Sequence, residues 1–338
     1  MVFTEYHLIL TLGFIHQYFN KEDDVVDIYR VSPTNSKRLN RLNRIELRKY
    51  GYKELFVDYK KSGRELKSFL DNIIKCRPTH FFFFLEELFW MEYLLSSLHN
   101  NGCKIILAPD GIKPYNDISR SYKDRFLDKL RYYKYAIKHK LYWPIGTPEN
   151  YYATSPSIDE VWLENPGAYV NHTNKSIVTF EFPRGLDYLT KLNSAFGFDA
   201  KDYSYLENKT IIYFDSDEAY PVFLSRNIWL LKHLKNQHPD YTLYVKLHPT
   251  SVGEREKVYN AIGDINYLDS KYPAELYIAN CREAIFVSLF STSMFYYNQS
   301  CKYYWVYPLY SDIFKTDGIK VPCKHIELIN TKEELEKI

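Results

Sequence analysis

The chain has 338 residues, which is long enough for two domains of ordinary size. Apolar residues make up 46% of it and charged residues 25%, a balance typical of folded proteins that excludes a largely disordered one. The formal net charge of +2 provides no overall field for nucleic acid, although residues 37–53 and 120–140 are locally basic. We therefore expect a folded protein without a nucleic-acid partner.

Cysteine usage and the apolar runs bear on the cellular compartment. The five cysteines are odd in number and form no CxxC pair, which indicates reduced thiols and neither a zinc site nor a disulfide framework. Residues 1–6 lack the basic region of a signal peptide. The longest apolar run, residues 81–95, contains three glutamates and is shorter than the roughly 20 residues that span a bilayer. These features predict a cytoplasmic protein without a membrane span.

Short apolar runs alternate with amphipathic stretches in the first half of the chain. The runs predict strands at residues 7–12, 25–29, 54–59, 80–85 and 104–109. The amphipathic stretches predict helices at residues 66–75, 86–98 and 117–141. Two more strands are predicted at residues 151–163 and 176–182.

The alternation restarts after a predicted connecting helix at residues 185–198. Strands are predicted at residues 210–214, 241–247, 284–288 and 303–306, and helices at residues 222–236, 254–262, 291–299 and 332–338. Thr331 is the predicted N-cap of the last helix, with Glu334 in the capping-box position. This order predicts an α/β fold of two Rossmann-like domains facing across a cleft, residues 1–186 and residues 187–338.

The strand predicted at residues 104–109 is followed by a carboxylate and a glycine, Asp110 and Gly111. Ligands of open α/β sheets bind just beyond the carboxyl ends of strands. Asp110 is therefore a candidate general base, and Gly111 allows the backbone to turn or to approach a ligand. The alternative is that Pro-Asp-Gly is an ordinary turn.

The strand predicted at residues 241–247 carries Lys246 and is followed by His248 and Pro249. Residues i and i+2 of a strand share a face, so Lys246 and His248 can converge on one phosphate. The alternative is that the His-Pro pair only terminates the strand. The chain contains such a pair at His238, between a predicted helix and strand, which we interpret as part of a loop.

Further polar groups of the second half suit an anion or a nucleotide. Ser291, Thr292 and Ser293 open a helical pattern, where they form either an anion site or a plain N-cap. Glu275 either accepts hydrogen bonds from ribose hydroxyls or is a solvated residue at a helix start. Ser216 follows the strand at residues 210–214 and either contacts the ligand or caps a helix.

In their order along the chain, these motifs resemble those of the bacterial sialyltransferases. That family shares a D/E-D/E-G motif, a K-x-H-P motif and a later Ser/Thr pair, which are matched here by Pro109-Asp110-Gly111, Lys246-Leu247-His248-Pro249 and Ser291-Thr292-Ser293. The resemblance implies a GT-B fold and an inverting, metal-independent transfer of sialic acid from CMP-Neu5Ac. The first acidic position of the family is a proline here, which leaves Asp110 as the base.

The resemblance also implies a role for each matched residue. Asp110 deprotonates the acceptor hydroxyl, whereas His248 binds the CMP phosphate and protonates it. Residues 291–293 hold the same phosphate, and Glu275 binds the ribose. Two more matched residues line the nucleotide site, Lys246 and Pro249. A CMP-sugar carries a single phosphate, so neither a metal nor another cofactor is expected.

Several alternatives remain for the partners. The expected acceptor is a galactose-terminated bacterial surface glycan of an O-antigen, capsule or lipooligosaccharide, lipid-linked at the inner face of the inner membrane. The basic, aromatic helix at residues 117–141 either rests on anionic lipid or is solvated with its tyrosines packed inward. The donor is alternatively another CMP-activated acid, such as Kdo, legionaminate or pseudaminate. Other classes are a GT-B-like nucleotide-sugar epimerase and a non-enzymatic scaffold.

Overall fold

A computed structural model describes residues 1–19, 23–33, 42–58, 61, 63–116, 121–141, 152–170, 173–207, 209–216, 221–248, 253–313 and 320–338. The chain divides into two compact units. Unit 1 comprises Met1–Lys37 and Arg44–Pro183, and unit 2 comprises Arg38–Asn43 and Arg184–Ile338. Each unit is built from parallel strands and helices, so the predicted α/β class with two Rossmann-like units, as in GT-B proteins, is confirmed. The cleft stays a prediction.

The described residues of unit 1 contain six strands, all paired in parallel. They are β1 (Tyr29–Pro33), β2 (Lys53–Val57), β3 (His80–Phe83), β4 (Lys104–Leu107), β5 (Glu160–Leu163) and β6 (Ser176–Thr179). Strands β1 and β2 form a pair, and β3 to β6 form a four-stranded sheet in chain order. The α-helices of unit 1 are α1 (Glu5–Tyr18), α2 (Arg44–Leu47), α3 (Glu65–Cys76), α4 (Met91–Asn100) and α5 (Tyr122–Lys138).

The first two residues connect the two sheets of unit 1. The N–H of Val2 donates to the carbonyl of Tyr29 at 2.9 Å, and Val2 forms a parallel bridge with Arg30 of β1. On the other side, the nitrogen of Met1 donates to the carbonyl of Phe82 in β3. The order across unit 1 is therefore β2, β1, residues 1–2, β3, β4, β5 and β6. Helix α1 follows a strand position, and its first turn lies at the carboxyl edge of the strands.

The strand predicted at residues 7–12 is wrong, because these residues belong to α1. Thr4 caps this helix, and its side chain accepts a hydrogen bond from the N–H of His7 at 3.2 Å. Most residues of the helix from His7 to Ile15 are buried, whichever side they face. A helix buried all round has no amphipathic period and resembles a buried strand in sequence.

Other elements of unit 1 are shorter than predicted or displaced. The strand predicted at residues 25–29 begins at Tyr29 as β1, and the one predicted at residues 151–163 is confined to β5. The helix predicted at residues 86–98 begins at Met91, so residues 84–90 form a loop after β3. Helix α5 begins after Ser121, whose side chain accepts from the N–H of Asp124 at 3.2 Å, and residues 117–120 lie outside the described part.

Unit 2 contains one parallel six-stranded sheet in the order β12, β11, β10, β7, β8, β9. Its strands are β7 (Thr210–Phe214), β8 (Thr242–Lys246), β9 (Asn266–Tyr267), β10 (Ile285–Ser288), β11 (Lys302–Trp305) and β12 (Ile326–Leu328). Its α-helices are α6 (Leu186–Phe196), α7 (Pro221–Gln237), α8 (Glu254–Tyr259) and α9 (Ala274–Asn280). The four strands predicted here are confirmed as β7, β8, β10 and β11, whereas the short β9 and β12 were not predicted.

Two predicted helices of unit 2 are short 3₁₀ turns. The helix predicted at residues 291–299 is only the turn Thr292–Phe295, because Tyr296 is already extended and buried. The C-terminal helix predicted at residues 332–338 is the turn Glu333–Lys337. The predicted cap forms only in part. The Thr331 hydroxyl accepts from the N–H of Glu334 at 3.4 Å, but the N-cap position is Lys332, and the Glu334 carboxylate accepts from the N–H of Asn330 at 2.7 Å instead of from that of Thr331.

The chain changes direction across the sheet of unit 2 at β7. After β7 it continues to β8 and β9 on one side and then crosses to β10 on the other side of β7. In open parallel sheets, the crevice outside the carboxyl ends of the two strands at such a reversal is the usual ligand site. The topology therefore directs attention to the segments that follow β7 and β10.

The structure bears on the cysteines and on the apolar helices. All five cysteines are free, so the predicted absence of a disulfide framework is confirmed. Among the described residues, no helix is both long and apolar enough to cross a membrane.

Candidate active site

Four neighbouring strands of unit 2 lead into the residues predicted on the donor side. Ser216 follows β7, Lys246 ends β8 with His248 two residues beyond, and residues 291–293 follow β10. Glu275 lies in the first turn of α9, the helix that follows β9. Carboxyl ends of parallel strands share one edge of a sheet, so the topology brings these segments to the same edge. Ser216 and residues 291–293 flank the reversal point.

Lys246 and His248 differ in burial and in surroundings. The Lys246 side chain is buried, and its Nζ lies 3.4 Å from the carbonyl oxygen of Ser270, which follows β9. His248 is partly exposed and lies beyond the end of β8, so the strand alternation that related the two residues stops at Lys246. Their convergence on one phosphate stays a prediction, and Pro249 lies outside the described residues.

The hydroxyl segment after β10 is held in place by its own hydrogen bonds. Ser291 and Ser293 share a hydrogen bond of 2.6 Å between their Oγ atoms, and the N–H of Ser291 donates to Ser288 Oγ at 2.9 Å. The indole of Trp305 in β11 donates to the Ser291 carbonyl at 3.3 Å. A turn of four residues has no helix N-terminus to offer an anion, so the predicted phosphate contacts must come from the hydroxyls, including that of the partly exposed Thr292.

The remaining donor-side residues also lie at this edge. Glu275 is buried, so the solvated alternative for this carboxylate is wrong. Ser216 is partly exposed, but its Oγ is buried and has no hydrogen-bond partner within the described residues. A buried hydroxyl that has no partner beside the reversal point is available to a ligand.

A buried ion pair that the sequence did not predict fixes the end of β7. Arg255 Nη1 lies 2.6 Å from Asp215 Oδ1, which also accepts from the hydroxyl of Tyr259 at 3.0 Å. Arg255 donates to the carbonyl of Ser216 as well, so the pair holds the backbone at the reversal point. Burial raises the pKa of the Asp215 carboxyl to about 6, even though Arg255 and Tyr259 both act to lower it.

We expect Asp215→Ala to lower the free energy of unfolding by about 3–5 kcal/mol, because it leaves the Arg255 guanidinium buried without its counter-ion. The matched control is Asp312→Ala, which removes a partner of Arg226 at the same 2.6 Å separation but with an Asp side chain that is 64% exposed. An exposed pair contributes at most about 1 kcal/mol. Urea unfolding of both variants measures the difference, and equal losses would show that the Asp215 pair is not a buried one.

Asp110 of unit 1 is held between an imidazole and an ammonium. His7 Nε2 lies 2.9 Å from Asp110 Oδ1, and Lys113 Nζ lies 2.7 Å from Asp110 Oδ2. His7 is fully buried, and its ring stacks on Phe84 with 4.3 Å between the centroids. The N–H of Phe3 donates to His7 Nδ1 at 3.3 Å, so the proton of the neutral imidazole is on Nε2, from which it donates to Asp110.

The contacts of Asp110 determine its protonation. Burial raises the pKa of its carboxyl, but the hydrogen bond from His7 and the positive charges of His7 and Lys113 outweigh that effect and lower the pKa to about 2. Burial lowers the pKa of His7 below its ordinary value, although Asp110 acts to raise it. At neutral pH, the arrangement is therefore an ionised carboxylate beside a neutral imidazole.

The backbone at Asp110 also forms the turn that the alternative interpretation requires. The N–H of Lys113 donates to the Asp110 carbonyl at 3.3 Å, and Gly111 adopts the left-handed conformation with φ of 56°. The turn is compatible with the contacts that the Asp110 carboxylate makes with His7 and Lys113. The turn aims the side chain of Asp110 at His7 in the first turn of α1, and the assigned role of base stays a prediction.

A second carboxylate at this edge escaped the sequence analysis. Glu86 follows β3 and accepts hydrogen bonds from three consecutive backbone N–H groups, those of Ala153 at 2.6 Å, Thr154 at 3.0 Å and Ser155 at 3.2 Å. Burial raises the pKa of Glu86 to about 7, although these three hydrogen bonds act to lower it. Its position shortly after a buried strand could have identified Glu86 from the sequence, but the sequence analysis assigned this residue to a helix at residues 86–98. Among the described residues, no group of three or more His, Cys, Asp or Glu is arranged to hold a metal ion.

The comparison with protein families identifies the class of protein. A family model described as "Alpha-2,8-polysialyltransferase (POLYST)" matches residues 33–303, which is most of the chain. The protein is a glycosyltransferase. It belongs to the alpha-2,8-polysialyltransferase family, in agreement with the resemblance to bacterial sialyltransferases. No curated protein matches the chain significantly.

Solved structures are similar to the chain only in general outline. The structure of Staphylococcus aureus MnaA with UDP has a TM-score of 0.46 and 10% identity, covering 84% of this chain and 72% of its own. Neisseria meningitidis UDP-GlcNAc 2-epimerase bound to UDP-GlcNAc has a TM-score of 0.46 and 10% identity, covering 85% and 76%. A family 9 glycosyltransferase from Veillonella parvula has a TM-score of 0.42 and 14% identity, covering 98% and 84%. We draw no functional conclusion from these similarities.

Proposed function

We propose that this protein is an inverting, metal-independent sialyltransferase that moves sialic acid from CMP-sialic acid to a bacterial surface glycan. The observation that carries the proposal is the position of Lys246 and His248, from the K-x-H-P motif, at the end of β8, the strand next to β7, in a member of this family. A cytoplasmic location at the inner face of the inner membrane, where lipid-linked acceptors are glycosylated, belongs to the same proposal.

On the donor side, the chemistry required is stabilisation of one leaving phosphate. When the bond between the anomeric carbon and the phosphate oxygen breaks, the electron pair moves to the phosphate of CMP. His248 donates a proton or a hydrogen bond to that oxygen, and the buried ammonium of Lys246 supplies positive charge nearby. The hydroxyls of Ser291, Thr292 and Ser216 orient the phosphate, and Glu275 accepts hydrogen bonds from the ribose. These groups suffice for a single phosphate without a metal ion.

On the acceptor side, Asp110 takes the proton of the attacking hydroxyl. The oxygen of that hydroxyl bonds to the anomeric carbon as the phosphate leaves from the opposite face, which inverts the configuration. The Oδ1 atom of Asp110 is oriented by His7, whereas Oδ2 contacts Lys113 and keeps a lone pair that can accept the proton. The low pKa keeps Asp110 ionised and ready to accept.

The pH dependence of kcat/KM separates Asp110 from Glu86 as the base. A base must be ionised, so an acid-side loss of kcat/KM marks its pKa in the free enzyme. Because the pKa of Asp110 is about 2, we expect kcat/KM to stay level from about pH 7 down to about pH 5. If Glu86 were the base, its pKa of about 7 would produce a tenfold fall for each pH unit through that range. Initial rates at acceptor concentrations well below its KM, with the donor concentration fixed, measure this.

The donor is tested by the shift that each nucleotide sugar causes in the melting temperature. A ligand that binds only the folded protein raises the melting temperature, and the stabilisation grows with the logarithm of its concentration relative to its Kd. We expect CMP-Neu5Ac to stabilise the protein in the presence of EDTA, and UDP-GlcNAc to leave it unchanged. Stabilisation by CMP-Kdo alone would mean that the donor is another CMP-activated acid and not CMP-sialic acid. Stabilisation by UDP-GlcNAc alone would support an epimerase and refute the proposal.

The family description narrows the choice of acceptor sugar. An α-2,8 linkage requires an acceptor sugar with an eighth carbon, which sialic acid has and galactose lacks. We therefore infer that a sialic acid-terminated glycan is a better acceptor than the galactose-terminated one expected from the sequence. Matched oligosaccharides that differ only in this terminal residue, offered with the same donor, decide between the two.

A further inference from the structure

Helix α5 carries two apolar faces. Within the described part of the chain, one of them packs against the loop after β3 and the other is exposed. The packed face contains Ala136, which is fully buried, together with Tyr132 and Tyr135. The Phe89 ring lies 6.3 Å from the Tyr132 ring and 5.6 Å from the Tyr135 ring, measured between centroids. The Tyr132 hydroxyl donates to the carbonyl of Glu87. These contacts attach the helix to the loop that follows β3.

The other apolar face of α5 is open to solvent. Its large side chains are exposed by 79% at Tyr122, 56% at Phe126, 52% at Leu130 and 75% at Ile137. At about 100° per residue, these four positions fall within about 80° of arc on one side of the helix. A surface helix ordinarily places one apolar stripe towards the core and polar residues elsewhere, so this stripe, which we call the outer stripe, needs a different explanation.

Positive charge surrounds the outer stripe. Helix α5 contains six Lys or Arg and two Asp, and the exposed Lys123, Lys129 and Lys134 lie beside the stripe. Just beyond the helix, Lys140 lines a depression of about 330 Å³ with Arg64, Lys67 and Lys75 at α3, and the carboxylate in this lining is Asp71, which pairs with Lys67 at 2.6 Å. The apolar stripe therefore lies on a surface that attracts anions.

We propose that α5 is a membrane-docking helix whose outer stripe enters the interface of an anionic lipid bilayer. An exposed apolar stripe beside lysines is the pattern of helices that lie in the plane of a membrane, where the apolar side chains enter the acyl boundary and the lysines meet anionic headgroups. A second copy of this chain is a poorer partner, because pairing two such stripes would bring two strongly basic helices together. The inference is independent of the proposed transfer reaction.

The structure bears on the two alternatives that the sequence left open for this helix. The sequence offered either a helix resting on lipid or a helix with its tyrosines packed inward. Tyr132 and Tyr135 do pack inward, yet Phe126, Leu130 and Ile137 remain outside. Inward packing of two rings therefore leaves the outer stripe available for lipid.

Co-flotation of the full chain with vesicles tests the proposal. The probes are vesicles of phosphatidylcholine alone and of equimolar phosphatidylcholine and phosphatidylglycerol. We expect the protein to float with the phosphatidylglycerol vesicles at low salt, to float less at high salt, and to remain unbound with phosphatidylcholine alone. The triple variant Phe126→Ser, Leu130→Ser and Ile137→Ser should bind at least about tenfold more weakly, because it removes the apolar contact.

The chain supplies a matched control for this variant. Val25, Ile45 and Leu186 are exposed by 94%, 79% and 82% and lie outside α5, so their triple replacement by Ser removes as much exposed apolar surface elsewhere. This control should float like the unmodified protein. The proposal is overturned if the unmodified protein fails to bind phosphatidylglycerol vesicles at low salt, or if both triple variants bind equally. An unchanged melting temperature of each triple variant separates loss of docking from loss of folding.

Discussion

Replacing Asp110 by Asn is expected to lower kcat by about 10²- to 10⁴-fold, the range that a positioned general base contributes. The amide has nearly the shape of the carboxylate and still accepts the hydrogen bond from His7, but it cannot take the proton of the acceptor hydroxyl. The residues proposed to bind the donor lie in unit 2, so donor binding should be unaffected. The measurement is the initial rate of sialic acid transfer, with the melting temperature in CMP-Neu5Ac as the check on folding.

The control for this substitution is Asp27→Asn in the same unit. Asp27 also pairs with a lysine, Lys53, at 2.8 Å, and accepts from the Tyr29 hydroxyl at 2.9 Å, but it lies before β1 at the opposite edge of the strands. It should keep the full rate of transfer. If Asp110→Asn retained most of the activity as well, the role of base would pass to another carboxylate, and Glu86 would be the first to examine.

Replacing His248 by Ala is expected to lower kcat by about 10²- to 10³-fold, the loss typical of removing one group that stabilises developing charge. The reason is that charge accumulates on the phosphate oxygen as its bond to the sugar breaks. KM for CMP-sialic acid should change less than kcat, since the lost interaction is strongest in the transition state. Steady-state kinetics with varied donor measure both parameters.

The second His-Pro pair of the chain provides the control for His248. His238 follows α7 and its backbone N–H donates to the carbonyl of Leu234, so it lies at the end of a helix before β8 begins. His238→Ala removes the same side chain from the same dipeptide and should leave kcat unchanged. Equal losses in the two variants would contradict a specific role for His248 on the phosphate.

Four strands of unit 2, β7, β8, β10 and β11, were predictable because each is a short apolar run between clear breaks, whereas the short β9 and β12 were not. Strand β7 is buried along its whole length. Strand β8 ends at Lys246, shortly before the His-Pro pair of the sequence. Since the carboxyl ends of parallel strands share one edge, the residues after them could be placed together from the sequence. The polar groups at Lys246 and Ser291 were found in this way.

The surroundings of Asp110 were less predictable, because one side chain that contacts it, His7, comes from a distant part of the chain. His7 reaches Asp110 only because α1 begins at the carboxyl edge, and the buried all-round helix looked like a strand. Unit 2 contains a contact of the same kind, in which Arg255 of α8 pairs with Asp215 after β7, and no local sequence pattern predicts it. Periodicity reports which side of an element is buried, but it does not report which polar group meets which.

The helix predicted at residues 291–299 illustrates the limit of local pattern. Its hydroxyls suit an N-cap, but the Oγ atoms of Ser291 and Ser293 bond to each other, and the N–H of Ser291 bonds to Ser288. The aromatic rings that follow pack against other parts of unit 2. Phe295 lies against Trp305 of β11 at 5.8 Å, and Tyr297 lies against His325, before β12, at 4.6 Å between ring centroids. Tertiary packing of aromatic residues overrode the local helical preference.

The measurement that tests the central claim most directly is transfer of sialic acid from CMP-Neu5Ac in the presence of EDTA. Purified protein is incubated with matched galactose- and sialic acid-terminated oligosaccharides, and the products are weighed by mass spectrometry. We predict a product heavier by one or more sialic acid residues, absent with Asp110→Asn and with His248→Ala and present with His238→Ala. Turnover of UDP-GlcNAc, with no consumption of CMP-Neu5Ac on either acceptor, would contradict the assignment.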